Sequence, residues 1–128
     1  ISSNETRISV DHQKYNNLSK PIIIPKNKLK KIKKNYQKIN YLDYGMTVKS
    51  KKFIFKNNYA ILPYNLTFAY AMAVTLAGKA KEITIAGFDG YKKNQREQIE
   101  MQKTINMILK HNKSLKIKSL TKTGYKLN

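Results

Sequence analysis

The chain has no cysteine, so disulfides and thiolate metal sites are both excluded. Its two histidines, His12 and His111, lie far apart in unlike contexts. With no thiol to complete a four-ligand set, a structural zinc site is not expected. Arginine is scarce: among 26 basic residues only Arg7 and Arg96 are arginine. Seven acidic residues leave few candidates for acid–base catalysis. There is no phosphate-cradling glycine loop of either common type, no Ser/His/Asp arrangement and no carboxylate pair suggesting hydrolysis. No segment reaches the roughly 18 apolar residues that a spanning helix needs. The longest apolar stretch, Ala60 to Ala77, is broken by Pro63, Asn65 and two threonines. The start at Ile1 carries no basic-then-apolar signal pattern, and a cytoplasmic location is expected.

What the chain does have is lysine. The formal net charge is +19, which invites a nucleic-acid reading. Base and phosphate recognition favours the planar arginine fork, however, and that is what is missing. Asn, Ile and Tyr are also abundant, as expected when coding sequence is AT-rich. The charge therefore reads first as composition, and nucleic acid is disfavoured as a partner. Anionic ligands or an acidic membrane surface stay compatible with it. At 128 residues with 41% apolar content, a single soluble domain over 1–128 is expected.

Pro21-Ile22-Ile23-Ile24-Pro25 reads as a short buried strand with prolines at its ends. Lys26 to Ile39 carries Leu29, Ile32, Tyr36 and Ile39 at helical spacing, so an amphipathic surface helix is expected there, its lysine run facing solvent. Tyr41 to Leu62 has no helical order and predicts a loop with one or two short strands, Phe53-Ile54-Phe55 being the best strand core. Leu66 to Lys79 is apolar nearly all round, which predicts a buried helix ending with Gly78 as its C-cap. Ile83 to Phe88 follows as a strand covered on both faces. Gln95 to Asn112 is a second helix with a stripe of Met101, Ile105, Ile108 and Leu109. Leu115 to Leu120 alternates apolar and polar, as a strand with one exposed face does. Strand, helix, strand is a βαβ unit with a parallel pair.

Ligands of open α/β sheets bind outside the carboxyl ends of the strands. Two consecutive strands end in polar clusters, Gly87-Phe88-Asp89-Gly90-Tyr91 and Ser119 to Tyr125. Asp89 can accept hydrogen bonds from a ribose or sugar hydroxyl, while Tyr91 and Tyr125 can donate to phosphate oxygens or stack on a ring. Thr121 can line the same pocket, and Gly87 and Gly90 let a ligand approach the backbone. Ser2 to Arg7 looks like a third strand-end loop, in which Asn4 and Arg7 are candidate contacts, Arg7 for a phosphate or carboxylate. Blander readings stand beside these. Asp-Gly is a common turn dipeptide, Gly87 serves helix–sheet packing equally well, and His12 reads as an exposed loop residue before it reads as a general base.

Ala69 to Gly78, Lys81-Glu82-Ile83 and Ile85 to Tyr91 resemble a domain found C-terminal to HMG-CoA-lyase-like aldolase barrels. Such proteins are often labelled 4-hydroxy-2-oxovalerate aldolase-like and occur among bacterial surface-polysaccharide enzymes. Ala86-Gly87-Phe88-Asp89-Gly90-Tyr91 matches the family's AGFDGY in full. Ser119 to Tyr125 is similar to its SLTPT-x-Y ending, with Lys122 where proline is common. The same stretch resembles the helix–strand of bacterial sialyltransferases, whose GIDFY-like motif lies at the nucleotide-sugar site. The resemblance covers residues 65 to 125. It implies a Rossmann-like, three-layer α/β domain with a mostly parallel sheet, here a C-terminal fragment lacking strands upstream of Ile1. It implies a module that binds a nucleotide or activated sugar, or that serves assembly. Aldolase chemistry and its divalent metal would sit on a domain not present in this sequence, so no cofactor is expected in this chain. Two other readings stay open: a glycosyltransferase-like domain using a nucleotide sugar, and a basic polyanion-binding module whose lysines gather on one face. An oligomer is compatible with all three.

Overall fold

The computed structural model describes residues 1–30 and 38–127. The chain divides into two compact units, Ile1–Ala77 and Gly78–Asn128. The architecture is mixed α/β, and the described residues form three small sheets that are partly parallel.

In the first unit the chain begins extended, the Ser2 amide donating to the Ile23 carbonyl at 3.0 Å. Helix α1 (Glu5–Val10) follows at once, because the Asn4 side chain accepts from the Arg7 amide at 3.1 Å and caps the helix. The loop expected over Ser2 to Arg7 is therefore replaced from Glu5 onward by a helical turn. A second short helix, α2 (His12–Asn16), continues from it. Strand β1 (Ile22–Ile24) lies between its two prolines as expected and pairs in parallel with β2 (Tyr41–Asp43). Between them α3 (Lys26–Leu29) starts where Pro25 fixes the backbone, and the Asp43 carboxylate accepts from the Lys26 amide at 2.8 Å. The remainder of the helix expected to Ile39, with Ile32 and Tyr36, lies outside the described residues. Ile8, Ile22, Ile24, Leu29 and Ile39 form one buried cluster with Tyr15 and Tyr41 against it.

The stretch read as loop with one or two strands holds three more besides β2. These are β3 (Gly45–Val48), β4 (Ile54–Phe55) and β5 (Tyr59–Leu62), in the order β3-β5-β4. β3 runs parallel to β5, and β4 runs antiparallel to it. Helix α4 (Thr67–Ala77) packs on β4 and β5. Phe68, Ala69, Tyr70, Met72, Ala73 and Leu76 are buried along it, so its near-uniform apolarity is used on several sides. It ends at Ala77 with Gly78 next, in the C-cap place expected, and the left-handed residue is one further on, Lys79, at φ 62°. A lysine there accepts a steric cost that glycine would have avoided.

The packing of α4 is pinned by two tyrosines. Tyr70 is fully buried and its hydroxyl donates to the Tyr44 carbonyl. The Tyr44 hydroxyl in turn donates to the Lys56 carbonyl at 2.9 Å, and the two rings lie 5.8 Å apart, tilted by 60°. Burial holds both phenols above their ordinary pKa, in Tyr70 with help from the nearby Asp43 charge. An unfolded tyrosine ionises near pH 10 while these stay neutral in the fold, so their stabilisation is complete below about pH 10 and is lost as pH rises above it. Each late phenol steepens the loss by up to about 1.4 kcal/mol per pH unit. Urea unfolding at rising pH, followed beside phenolate absorbance, is expected to show falling stability from about pH 10 upward and a late-titrating fraction among the nine tyrosines. A single titration of all nine near pH 10, at constant stability, would contradict this burial.

The second unit is the expected βαβ. Strand β6 (Glu82–Ile85) and strand β7 (Lys116–Ser119) pair in parallel, with Ile83 opposite Ile117, and α5 (Arg96–His111) connects them. Met101, Ile105 and Ile108 are buried along α5, and so is Thr104, whose hydroxyl is satisfied by the Glu100 carbonyl at 2.8 Å. β6 is shorter than the span Ile83 to Phe88, and it is not covered on both faces. Glu82 and Thr84 are exposed and only Ile85 is buried. Its polar face is held by Lys118, whose ammonium lies 2.7 Å from the Glu82 carboxylate and draws that carboxyl below its usual pKa.

Candidate functional site

The two strand ends of the second unit converge. Beyond β6 and β7 the main chains stay joined, the Leu120 amide donating to the Ile85 carbonyl and the Gly124 amide to the Asp89 carbonyl, each at 2.9 Å. The Thr121 hydroxyl accepts from the Gly87 amide at 3.0 Å. Two glycines turn the chain here, Gly87 at φ 73° and Gly90 at φ 100°, values that L side chains rarely adopt.

The result is a cleft of ≈ 270 Å³ lined by Gly87, Phe88, Asp89, Gly90, Tyr91, Met101 and Tyr125. Five of the expected residues, Gly87, Asp89, Gly90, Tyr91 and Tyr125, are thus brought together. Thr121 joins them through its bond to Gly87 without lining the cleft. Asp89 is exposed, and among the described residues its carboxylate has no hydrogen-bond or ion-pair partner. Tyr91 is 55% exposed and free to cover a ligand, whereas Tyr125 is buried at 6% and forms a wall. Burial, and the neighbouring Tyr91, raise the Tyr125 phenol above its ordinary pKa, so it is a neutral hydrogen-bond donor at physiological pH.

Asn4 and Arg7 belong to the first unit. Asn4 is used as the α1 cap, and the Arg7 guanidinium lies 3.8 Å from the Asp11 carboxylate on the same helix. His12 begins α2, its Nδ1 at 3.0 Å from the Ser9 carbonyl.

The residue that sequence reasoning missed is Gln98. Its amide oxygen accepts from the Tyr91 amide at 2.8 Å, and its nitrogen donates to the Gly124 carbonyl at 3.2 Å. One helical turn on, Gln102 accepts from the Lys126 amide at 2.9 Å and donates to the Lys126 carbonyl at 3.0 Å. Two side chains four apart on α5 therefore hold the segment that carries Tyr125. The only sequence signal was that spacing, which an exposed helix face shows by chance.

A larger groove of ≈ 590 Å³ runs beside β7, lined by Leu109, Asn112, Lys113, Leu115, Lys116, Ile117, Lys118 and Leu127. Among the described residues it offers no side-chain carboxylate or hydroxyl to orient a ligand, so the strand-end cleft is the better candidate. Among the described residues there is no group of three or more His, Asp or Glu placed to hold a metal ion, and no helix long and apolar enough to cross a membrane. No protein-family model, curated protein or solved structure matches the chain.

Proposed function

We propose that the second unit binds a nucleotide or activated sugar at the ends of β6 and β7, as part of a Rossmann-like module of a surface-glycan protein. The observation that carries this reading is the Asp89 carboxylate, exposed and unpartnered among the described residues in a cleft between two tyrosines. A carboxylate in a chain so rich in lysine finds cations easily, and one left open is suited to accept from paired hydroxyls of a ribose or hexose. The neutral Tyr125 phenol supplies a donor, Tyr91 a ring to stack, and the exposed Lys92 and Lys93 directly after it a counter-charge for phosphate. The family resemblance of Ala86 to Tyr91 supplies the surface-glycan setting. Among the described residues the cleft is lined by no nucleophile–base pair, so the reading proposed is one of binding.

The test is a thermal-shift series with CMP, UDP, GDP and their sugar conjugates at about 0.3 M salt, which suppresses attraction to the lysines at large. One nucleotide class is expected to stabilise the chain by about 2.7 kcal/mol at a hundred times its Kd. Asp89→Ala with Tyr91→Ala, which removes the acceptor and the stacking ring, is expected to weaken that response about tenfold. Equal responses in the variant and the parent chain would remove the cleft from consideration.

A further inference from the structure

We propose that the first unit carries a docking surface for anionic lipid, formed by the uncovered face of the β3-β5-β4 sheet and the lysines along its edges. The register settles which residues share that face. Thr47 lies beside Ile61 and Gly45 beside Tyr59 across β3 and β5, while Ile54 lies opposite Ile61 across β4 and β5. Helix α4 packs on β4 and β5, where Ala60 and Leu62 point away from this face and are buried. The outward side is unusually apolar for a sheet face in water, with Tyr59 42% and Ile54 37% exposed and Ile61 half-buried between them. Gly45 leaves room beside Tyr59, since a Cβ at Gly45 would stand 3.3 Å from the Tyr59 Cβ.

Charge says what this face meets. Lys49, Lys51, Lys52 and Lys56 are all exposed around it, and among the described residues none is paired with a carboxylate. No acidic residue occurs between Asp43 and Glu82 in the sequence. A second copy of so basic a chain would be repelled, and the partner must be anionic. Two isoleucines and one tyrosine suit the acyl–headgroup boundary of a bilayer, whereas a nucleic-acid platform needs several stacking rings and gains from arginine. Lysine suits headgroups as a point charge, and each lysine near an anionic surface is worth about fivefold in partitioning.

The probe is a set of phosphatidylcholine vesicles with and without about 30% phosphatidylserine, at about 0.1 M salt, with sedimentation of the whole chain as the readout. Lys51→Asn with Lys52→Gln is expected to lower partitioning onto the anionic vesicles by about twentyfold. Lys103→Gln with Lys110→Gln, the same charge change on α5, is expected to lower it less than about threefold. Ile54→Thr with Tyr59→Thr leaves the charge intact and is expected to cost about tenfold, with far-UV circular dichroism checking the fold. Equal losses for the two lysine pairs would show attraction to overall charge and overturn the proposal. So would unchanged partitioning of a folded Ile54/Tyr59 variant. A single-stranded oligonucleotide that strips the chain from vesicles, and that needs Tyr59 to bind, would overturn it in favour of a nucleic-acid platform.

Discussion

Tyr70→Ala is expected to destabilise the first unit by about 4 to 6 kcal/mol, a large share of the 5 to 15 typical of a domain. The side chain is fully buried and lies on α4 against Tyr44. Truncation opens a ring-sized cavity, at about 3 to 5 kcal/mol. It also strands the Tyr44 carbonyl, which accepts the Tyr70 hydroxyl; a buried polar group without a partner adds at least about 1 kcal/mol. Tyr70→Phe separates the two contributions, keeping the volume and losing the bond, and is expected to cost only about 1 to 2 kcal/mol. Urea denaturation of both variants checks this. A loss under about 1 kcal/mol for Tyr70→Ala would mean that α4 is held by other contacts.

The second large effect is expected at Gly90, and it falls on the site. At φ 100° the backbone is in a region that side chains avoid, at about 1 to 3 kcal/mol. A Cβ there would also stand 3.1 Å from Gln98 Oε1 and 3.5 Å from the Gly124 Cα. The cheapest relief is withdrawal of the Gln98 amide, which frees the Tyr91 amide and loosens the Gly124 segment. Gly90→Ala is thus expected to lose about 2 to 3 kcal/mol of stability and the nucleotide response together. Gly87→Ala is the control. Its φ is 73° and a Cβ would meet nothing within 4 Å, so backbone strain of about 1 kcal/mol is the whole expected cost. Denaturation and thermal shift on the pair decide between them. Equal effects would mean that the Gln98 bridge does not shape the cleft.

Much of the second unit was readable from the chain because its signals are local and long. The stripe of α5, Met101 to Leu109, repeats over about two and a half turns, and Leu115 to Lys118 alternates for four residues. The convergence of Gly87, Asp89 and Tyr125 then followed from a rule about strand ends and not from any pattern in those residues. The first unit was harder. β2 to β5 are two to four residues long, too short for a period to declare itself, and connections rich in lysine and asparagine interrupt them. What makes them strands is pairing with distant segments. α1 was missed for a different reason: it has only one buried residue, Ile8, so periodicity is silent. Asn4 ahead of Glu5 was the available signal, a cap followed by an acid in the first turn. The coarse class, mixed α/β with some parallel pairing, was within reach of the sequence; the division into small sheets was not.

The glutamine pair on α5 has a consequence for how the chain ages and how it responds to its surroundings. Some fastenings on the surface of this molecule are ionic, such as Lys118 to Glu82 or Arg96 to Glu100, and are weakened by salt or acid. The Gln98 and Gln102 amides are neutral, and they grip main chain. The wall that Tyr125 provides should therefore keep its place across wide swings of ionic strength and pH. Hydrolysis of either amide to the acid is what would undo it. That change removes the donor to the carbonyl of Gly124 or Lys126 and sets a negative charge against it, so the cleft carries a chemical clock in the two side chains that brace it.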